Sequence, residues 1–349
     1  MQPQADDGIL EEFRLEFLDC WRKLPNKAFF FILFIGWLAL FQLLGNPTRG
    51  FVKSPSLLVW MYSVYHPSPM YDDAHGYVIP FLVLGILWWK RKDLLASPLE
   101  AWTPGVALFA LGLLFHLVGY RVQQPRLCIV GLFTGIYGLT GMAWGPVWLR
   151  KSFFPFFLFV FCVPFGTLTV PVTFPLRILV CKIVAAISQN ILSIDVVRDG
   201  TNLMDPTGRY HYDVAPACSG IRSLIATILL ATVYSMLSFH TWWKRGLLIA
   251  SAVPLAVIGN VVRMMTIIIA AEIGGQEWGN AVHEGGPGGI YSLLPYVPPF
   301  LGLLWFGHLL RERQPVAPKP PGPKPPAPKS SAAIPKDVPS PANNLTVPA

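Results

Sequence analysis

Charge is what this chain has least of. Asp, Glu, Lys and Arg together supply 13% of 349 residues, where a soluble domain carries nearer a quarter. Paired cysteines are missing too. Cys20, Cys128, Cys162, Cys181 and Cys218 stand apart with no Cys-x-x-Cys among them, which gives zinc-ribbon and thioredoxin-like readings no support. Cys128, Cys162 and Cys181 fall inside apolar runs, where a thiol usually serves as a small hydrophobe. No metal or cofactor is expected. The first apolar run follows mixed charges and has no small-residue cleavage site, so it reads as a retained helix and not a signal peptide.

What is present is apolar length. Hydrophobic residues make up 53% of the chain and the mean hydropathy is +0.49. Several runs approach the roughly 20 apolar residues that cross a bilayer. The expected fold is an all-α polytopic membrane protein. The formal net charge of +8 sits largely beside apolar runs and in the C-terminal tail, which suits orientation and contact with anionic membrane lipid, not nucleic acid.

In order, residues 1–27 form a cytoplasmic N-terminal segment and residues 28–310 the transmembrane domain. Residues 311–349, rich in Pro, Ala and Lys, read as a disordered cytoplasmic tail. Spans are expected over 28–45, 76–89, 102–120, 127–149, 153–172, 216–239, 246–271 and 290–310, about eight in all. Arg177, Cys181, Lys182, Ala185, Ser188 and Gln189 recur at helical spacing. They make 175–194 an amphipathic helix at the interface or against the bundle. Asp199-Gly200 and Asp205-Pro-Thr-Gly208 are turn signals, so 195–213 is expected to hold a small β-hairpin. Lys90-Arg91-Lys92, Arg150-Lys151, Lys244-Arg245 and Arg311/Arg313 fall on one side only if 175–194 does not cross. Under the positive-inside tendency that side is the cytoplasm. Cys218, His283 and the far half of helix 246–271 then face away from it.

Three segments could carry chemistry. Cys218 follows Pro216 by two residues. Proline marks a helix start, where unpaired N–H groups and the helix dipole favour a thiolate. Ser219 and Gly220 leave little bulk beside it. Arg263 lies deep in an apolar run, where arginine costs about 2.5–3.5 kcal/mol or more. It therefore faces a cavity or a partner, either a functional group or an ion pair with Glu272 or Asp213. Arg222, four residues after Cys218, shares its helical face and competes for the role of stabilising a thiolate or an oxyanion. His283 sits in a Gly-rich stretch expected to be a loop over 274–289. A histidine there can exchange protons with sulfur and a leaving amine. His211, His75 and His66 are alternatives on the same side.

The order of these blocks resembles the exosortase/archaeosortase family, specifically the bacterial exosortases. Asp73-Ala-His75-Gly76-Tyr-Val-Ile-Pro with Leu-Trp-Trp-Lys-Arg-Lys is similar to its early helix signature. Val214-Ala-Pro-Ala-Cys218-Ser219-Gly220-Ile-Arg222-Ser223 is similar to its cysteine box. Pro254-Leu-Ala-Val-Ile-Gly-Asn260-Val-Val-Arg263 is similar to its arginine box, and His283 before Gly288-Gly289 to its histidine. The likeness runs from Ala28 to Leu310. The proline after Ala215 and the Pro-rich tail depart from the pattern.

The resemblance implies Cys218 as nucleophile, His283 as proton-transfer residue and Arg263 as electrostatic stabiliser. Arg222, Ser219, Gly220 and Asn260 would support them. It also implies a cysteine transpeptidase at the outer face of the inner membrane. That enzyme cleaves exported proteins bearing a PEP-CTERM-like sorting signal, which is a short motif, a transmembrane helix and a basic cluster. It passes the proteins to an acceptor through a thioester. The competing readings are a non-catalytic polytopic component of polysaccharide or lipid export, with Arg222 and Arg263 lining an anionic path, and a membrane acyltransferase using Cys218 as acyl carrier.

Overall fold

A computed structural model describes residues 6–48, 52–66, 73–165, 169–213 and 221–311. The Pro-rich tail lies outside the described residues. Helices dominate, as the apolar runs require. The N-terminal helix α1 (Asp6–Lys23) leans its Phe13 and Phe17 rings on Trp88, and its Glu16 pairs with Arg91.

The first half of the chain builds an aromatic bundle from α2 (Lys27–Leu44), α3 (Leu57–Tyr65), α4 (Ile79–Trp89), the short α5 (Arg91–Leu95), α6 (Gly105–Arg121), α7 (Pro125–Trp144) and α8 (Pro146–Phe157). Its core includes Trp37, Phe41, Leu57, Ile79, Ile129 and Leu139. Small residues set the closest approach, as is common where lipid removes the hydrophobic drive between helices. A Cβ on Gly112 of α6 would lie 2.5 Å from the Gly135 nitrogen of α7, and one on Gly138 would lie 2.5 Å from the Phe109 nitrogen. Trp37 Nε1 donates to the Leu132 carbonyl across α2 and α7 at 3.0 Å.

Here the structure corrects two expected spans. The run 127–149 stops at Trp144, because Gly145 adopts φ 92°, and α8 turns back from there. Lys151 Nζ donates to the Asp93 carbonyl at 2.6 Å, next to the Lys-Arg-Lys cluster. At the other end the Tyr65 hydroxyl donates to the carbonyl of Cys162, which closes the 3₁₀ turn Leu158–Cys162. Residues 146–162 thus return along the bundle, and no continuous helix covers 153–172. Pro146 after the Gly145 break starts the new helix early.

The second half holds α9 (Val170–Asn190), a sheet of β1 (Val197–Asp199), β2 (Asn202–Met204) and β3 (His211–Asp213), then α10 (Ile221–Ser238), α11 (Trp242–His283) and α12 (Val297–Leu309). The expected hairpin is present as β1 and β2, paired Val197↔Met204 and Asp199↔Asn202 around Gly200. β3 adds a third antiparallel strand, Leu203 opposite Tyr212. The Asp205 turn is real: its carboxylate accepts the N–H groups of Thr207 and Arg209 at 3.1 Å each.

The polar stripe of α9 faces protein. Thr173, Arg177, Cys181, Ala185 and Ser188 are buried with Val180 and Val184, packed on α11 and the sheet, while Lys182 and Gln189 are exposed. Of the two settings expected for this helix, the one against the bundle is met. By length and composition, α2, α7, α9, α11 and residues 289–309 suffice to cross a membrane, and α4, α6 and most of α10 are shorter apolar helices. The sequence expectation for 175–194 is a helix that does not cross, so α9 as a candidate span departs from it, while the expected span 153–172 is replaced by the return over 146–162.

The largest departure is in α11. Residues 274–289 are not a loop. The helix runs to residue 274, reverses at Gly275 (φ 74°, ψ −171°) and resumes over 276–283. The two limbs lie against each other, Gly279 facing Ala271 and the ring of Tyr212.

Candidate active site

The fold-back of α11 has a direct geometric result. His283 stands 20 residues after Arg263, a separation that would carry it about 30 Å away along a straight helix. Instead Arg263 Nη2 donates to the His283 carbonyl at 3.4 Å. Both side chains are half-buried. Gly275 makes this possible, since its backbone conformation belongs almost wholly to glycine.

The sheet holds the returning limb in place. Gln276 behaves as an extra strand residue beside β3, its Oε1 accepting from His211 N at 2.8 Å and its Nε2 donating to the His211 carbonyl at 3.3 Å. Arg209 grips the other limb through Glu272, 3.0 Å to the carboxylate and 2.9 Å to the carbonyl. That pairing decides one alternative: Glu272 is engaged by Arg209 and is not the partner of Arg263. The side chain of Asp213 lies outside the described residues.

The second limb, with Gln276, Glu277, Asn280 and His283, is polar and follows the apolar run of α11. There, burial lowers the pKa of His283 below the ordinary histidine value. The positive Arg263 adds to the effect, and Glu284 opposes it. A shift in this direction favours the neutral imidazole, the form that accepts a proton.

Asn260 sits one turn before Arg263 and is 2% exposed. It lines a cavity of about 20 Å³ with Thr173 and Val180 of α9 and Leu224 of α10. Neither polar atom of the Asn260 side chain, nor the Thr173 hydroxyl, nor Arg177 Nε has a hydrogen-bond partner among the described residues. This polar seam was not evident in the sequence, although Thr173, Arg177 and Cys181 do share one helical face. The cavity also fixes a level: the first turns of α10 meet α11 beside Asn260, one turn from Arg263.

The sequence candidates divide accordingly. Arg263 and His283 are brought together, and Asn260 is buried beside them. Cys218, Ser219, Gly220 and the helix start near Pro216 lie outside the described residues. Arg222 stands in the first turn of α10, with its side chain likewise outside them. Among the alternative histidines, His75 belongs to the 3₁₀ turn Ala74–Tyr77 packed on α3, His66 ends α3 and His211 is held in β3.

A family model described as transmembrane exosortase (EpsH) matches residues 68–322, most of the chain and every residue of this site. The chain belongs to the transmembrane exosortase family. As an exosortase it is a multi-pass membrane protein, and the family implies an enzyme that processes sorting signals. No curated protein and no solved structure matches it. The early signature, the arginine box and the histidine of this exosortase all fall on described elements, and its cysteine box leads straight into α10.

Proposed function

We propose that this exosortase is a cysteine transpeptidase whose site faces away from the cytoplasm. Its substrates are exported proteins that end in a PEP-CTERM-like signal: a short motif, an apolar helix and a basic cluster. Cys218 gives its proton to His283, and the thiolate attacks the carbonyl carbon of the peptide bond near the motif. Arg263 stabilises the developing oxyanion. The intermediate collapses with loss of the C–N bond, and His283 returns the proton to the departing amine. The C-terminal helix leaves, and the substrate remains as a thioester on Cys218. An acceptor amine or hydroxyl then attacks the thioester and releases the thiol. Ser219 and Gly220 keep the thiol accessible, Arg222 supports the cysteine box and Asn260 steadies the arginine turn.

The observation that supports this reading is the meeting of Arg263 with His283 across the fold-back of α11. A pore-lining arginine needs no such partner. The same contact favours Arg263 over Arg222 as principal stabiliser. The test is co-expression with a tagged exported protein bearing such a tail, followed by mass and C-terminal analysis of the product. Wild type is expected to shorten the reporter, and Cys218→Ser to leave it intact while accumulating normally. Arg263→Ala is expected to abolish processing at undiminished expression, and Arg222→Ala to reduce it less. Full processing by Cys218→Ser would refute the transpeptidase.

A further inference from the structure

If the nucleophile precedes α10, a substrate cleaved there must continue into the membrane alongside α10. Most of that helix is already covered. Ile225, Ile228, Leu229 and Val233 pack on the aromatic bundle, and Ala231 packs with Leu248, Ala252 and Leu303 of α11 and α12. Among the described residues one flank stays open. Ala226, Thr227 and Leu230 face Leu293, Val297 and Phe300 across a groove of about 350 Å³. Leu230 is 40% exposed, and Leu293 and Phe300 are 62% and 48% exposed. The Thr227 hydroxyl donates to the Ser223 carbonyl at 2.6 Å, so the walls present apolar surface.

Both walls are continuous with the proposed machinery. α10 begins three residues after Cys218, and the 3₁₀ segment Pro287–Tyr296, which carries Leu293, begins four residues after His283. The small side chains of Ala226 and Thr227 allow a foreign helix to approach closely. A ridge of side chains at i, i+3/i+4 and i+7 suits such a groove. Resting on the transpeptidase reading, we propose that the groove between α10 and α12 is the docking site for the apolar C-terminal helix of the substrate. It orients the scissile bond and guides the released helix into the bilayer.

The test places a photo-reactive benzoylphenylalanine at Leu230 or Phe300 in the full chain. Cys218→Ser is included so that the tagged reporter is retained, and membranes are irradiated. Controls carry the same group at Leu114 or Leu117 on α6, both exposed and outside the groove. Adducts to the reporter's apolar helix are expected at Leu230 and Phe300 and not at the controls. In the enzyme with Cys218 intact, Leu230→Trp, which fills the groove, is expected to raise KM about tenfold with little change in kcat. Reporter adducts at the controls alone, or adducts of lipid mass alone at Leu230 and Phe300, would overturn the groove while wild-type cleavage left the transpeptidase standing. A reporter that wild type never shortens would remove the transpeptidase reading and the groove's occupant with it.

Discussion

At the scale of single residues, the environment of His283 sets a sign. Glu284 is the group that raises its pKa, against burial and Arg263, which lower it. A histidine that must accept a proton loses activity as pH falls through its pKa. Glu284→Gln is therefore expected to keep the plateau rate and move the acid limb of the pH–rate profile to lower pH. A limb moved to higher pH, or left in place, would contradict the electrostatics. The seam between Thr173 and Asn260 sets another sign. Its cavity has room for one water held by a hydroxyl and a carboxamide. Thr173→Val is expected to cost about 1 kcal/mol of stability by leaving Asn260 unsatisfied. An unchanged or raised melting temperature in detergent would mean that the seam is dry.

At the scale of elements, α11 is the piece on which sequence reading failed most instructively. Arg263 was conspicuous because charge inside an apolar run is costly. The reversal at Gly275 was not, because Gly274-Gly275 followed by polar residues reads equally well as the start of a loop. Helical hydrogen bonding resumes only because Ala271, Tyr212 and the His211 backbone give the second limb a surface to pack on, a tertiary effect that local propensity does not record. The boundary between the runs 127–149 and 153–172 is misplaced for a related reason: apolarity continues across Gly145, so composition hides the break. The stripe on α9 was legible from spacing alone. Gly275→Ala should cost about 1–3 kcal/mol through its backbone conformation and lower processing while Arg263 and His283 remain in the chain. A thermal melt and a product assay together would check this.

At the scale of the whole molecule, basic clusters ordered the chain. Lys244 still donates to the Leu310 carbonyl at 3.0 Å, which joins the ends of α11 and α12 beside Arg311. Hydropathy makes the apolar runs readable but not which of them cross: α9 is long and apolar enough to span, against the reading of 175–194. The proposed sidedness predicts accessibility. Trp278→Cys on the returning limb should react with an impermeant maleimide in intact spheroplasts, and Thr241→Cys only after permeabilisation. Labelling in the reverse order would invert the topology and place the proposed chemistry in the cytoplasm.

The grip of His211 and Arg209 on the two limbs of α11 also bears on inhibition. On the proposed mechanism, a macrocycle or antibody fragment that wedges β3 away from Gln276 would disarm the enzyme without reaching sulfur. Such a compound would compete with neither substrate nor acceptor, and its potency would track the loosening of the Arg263–His283 contact.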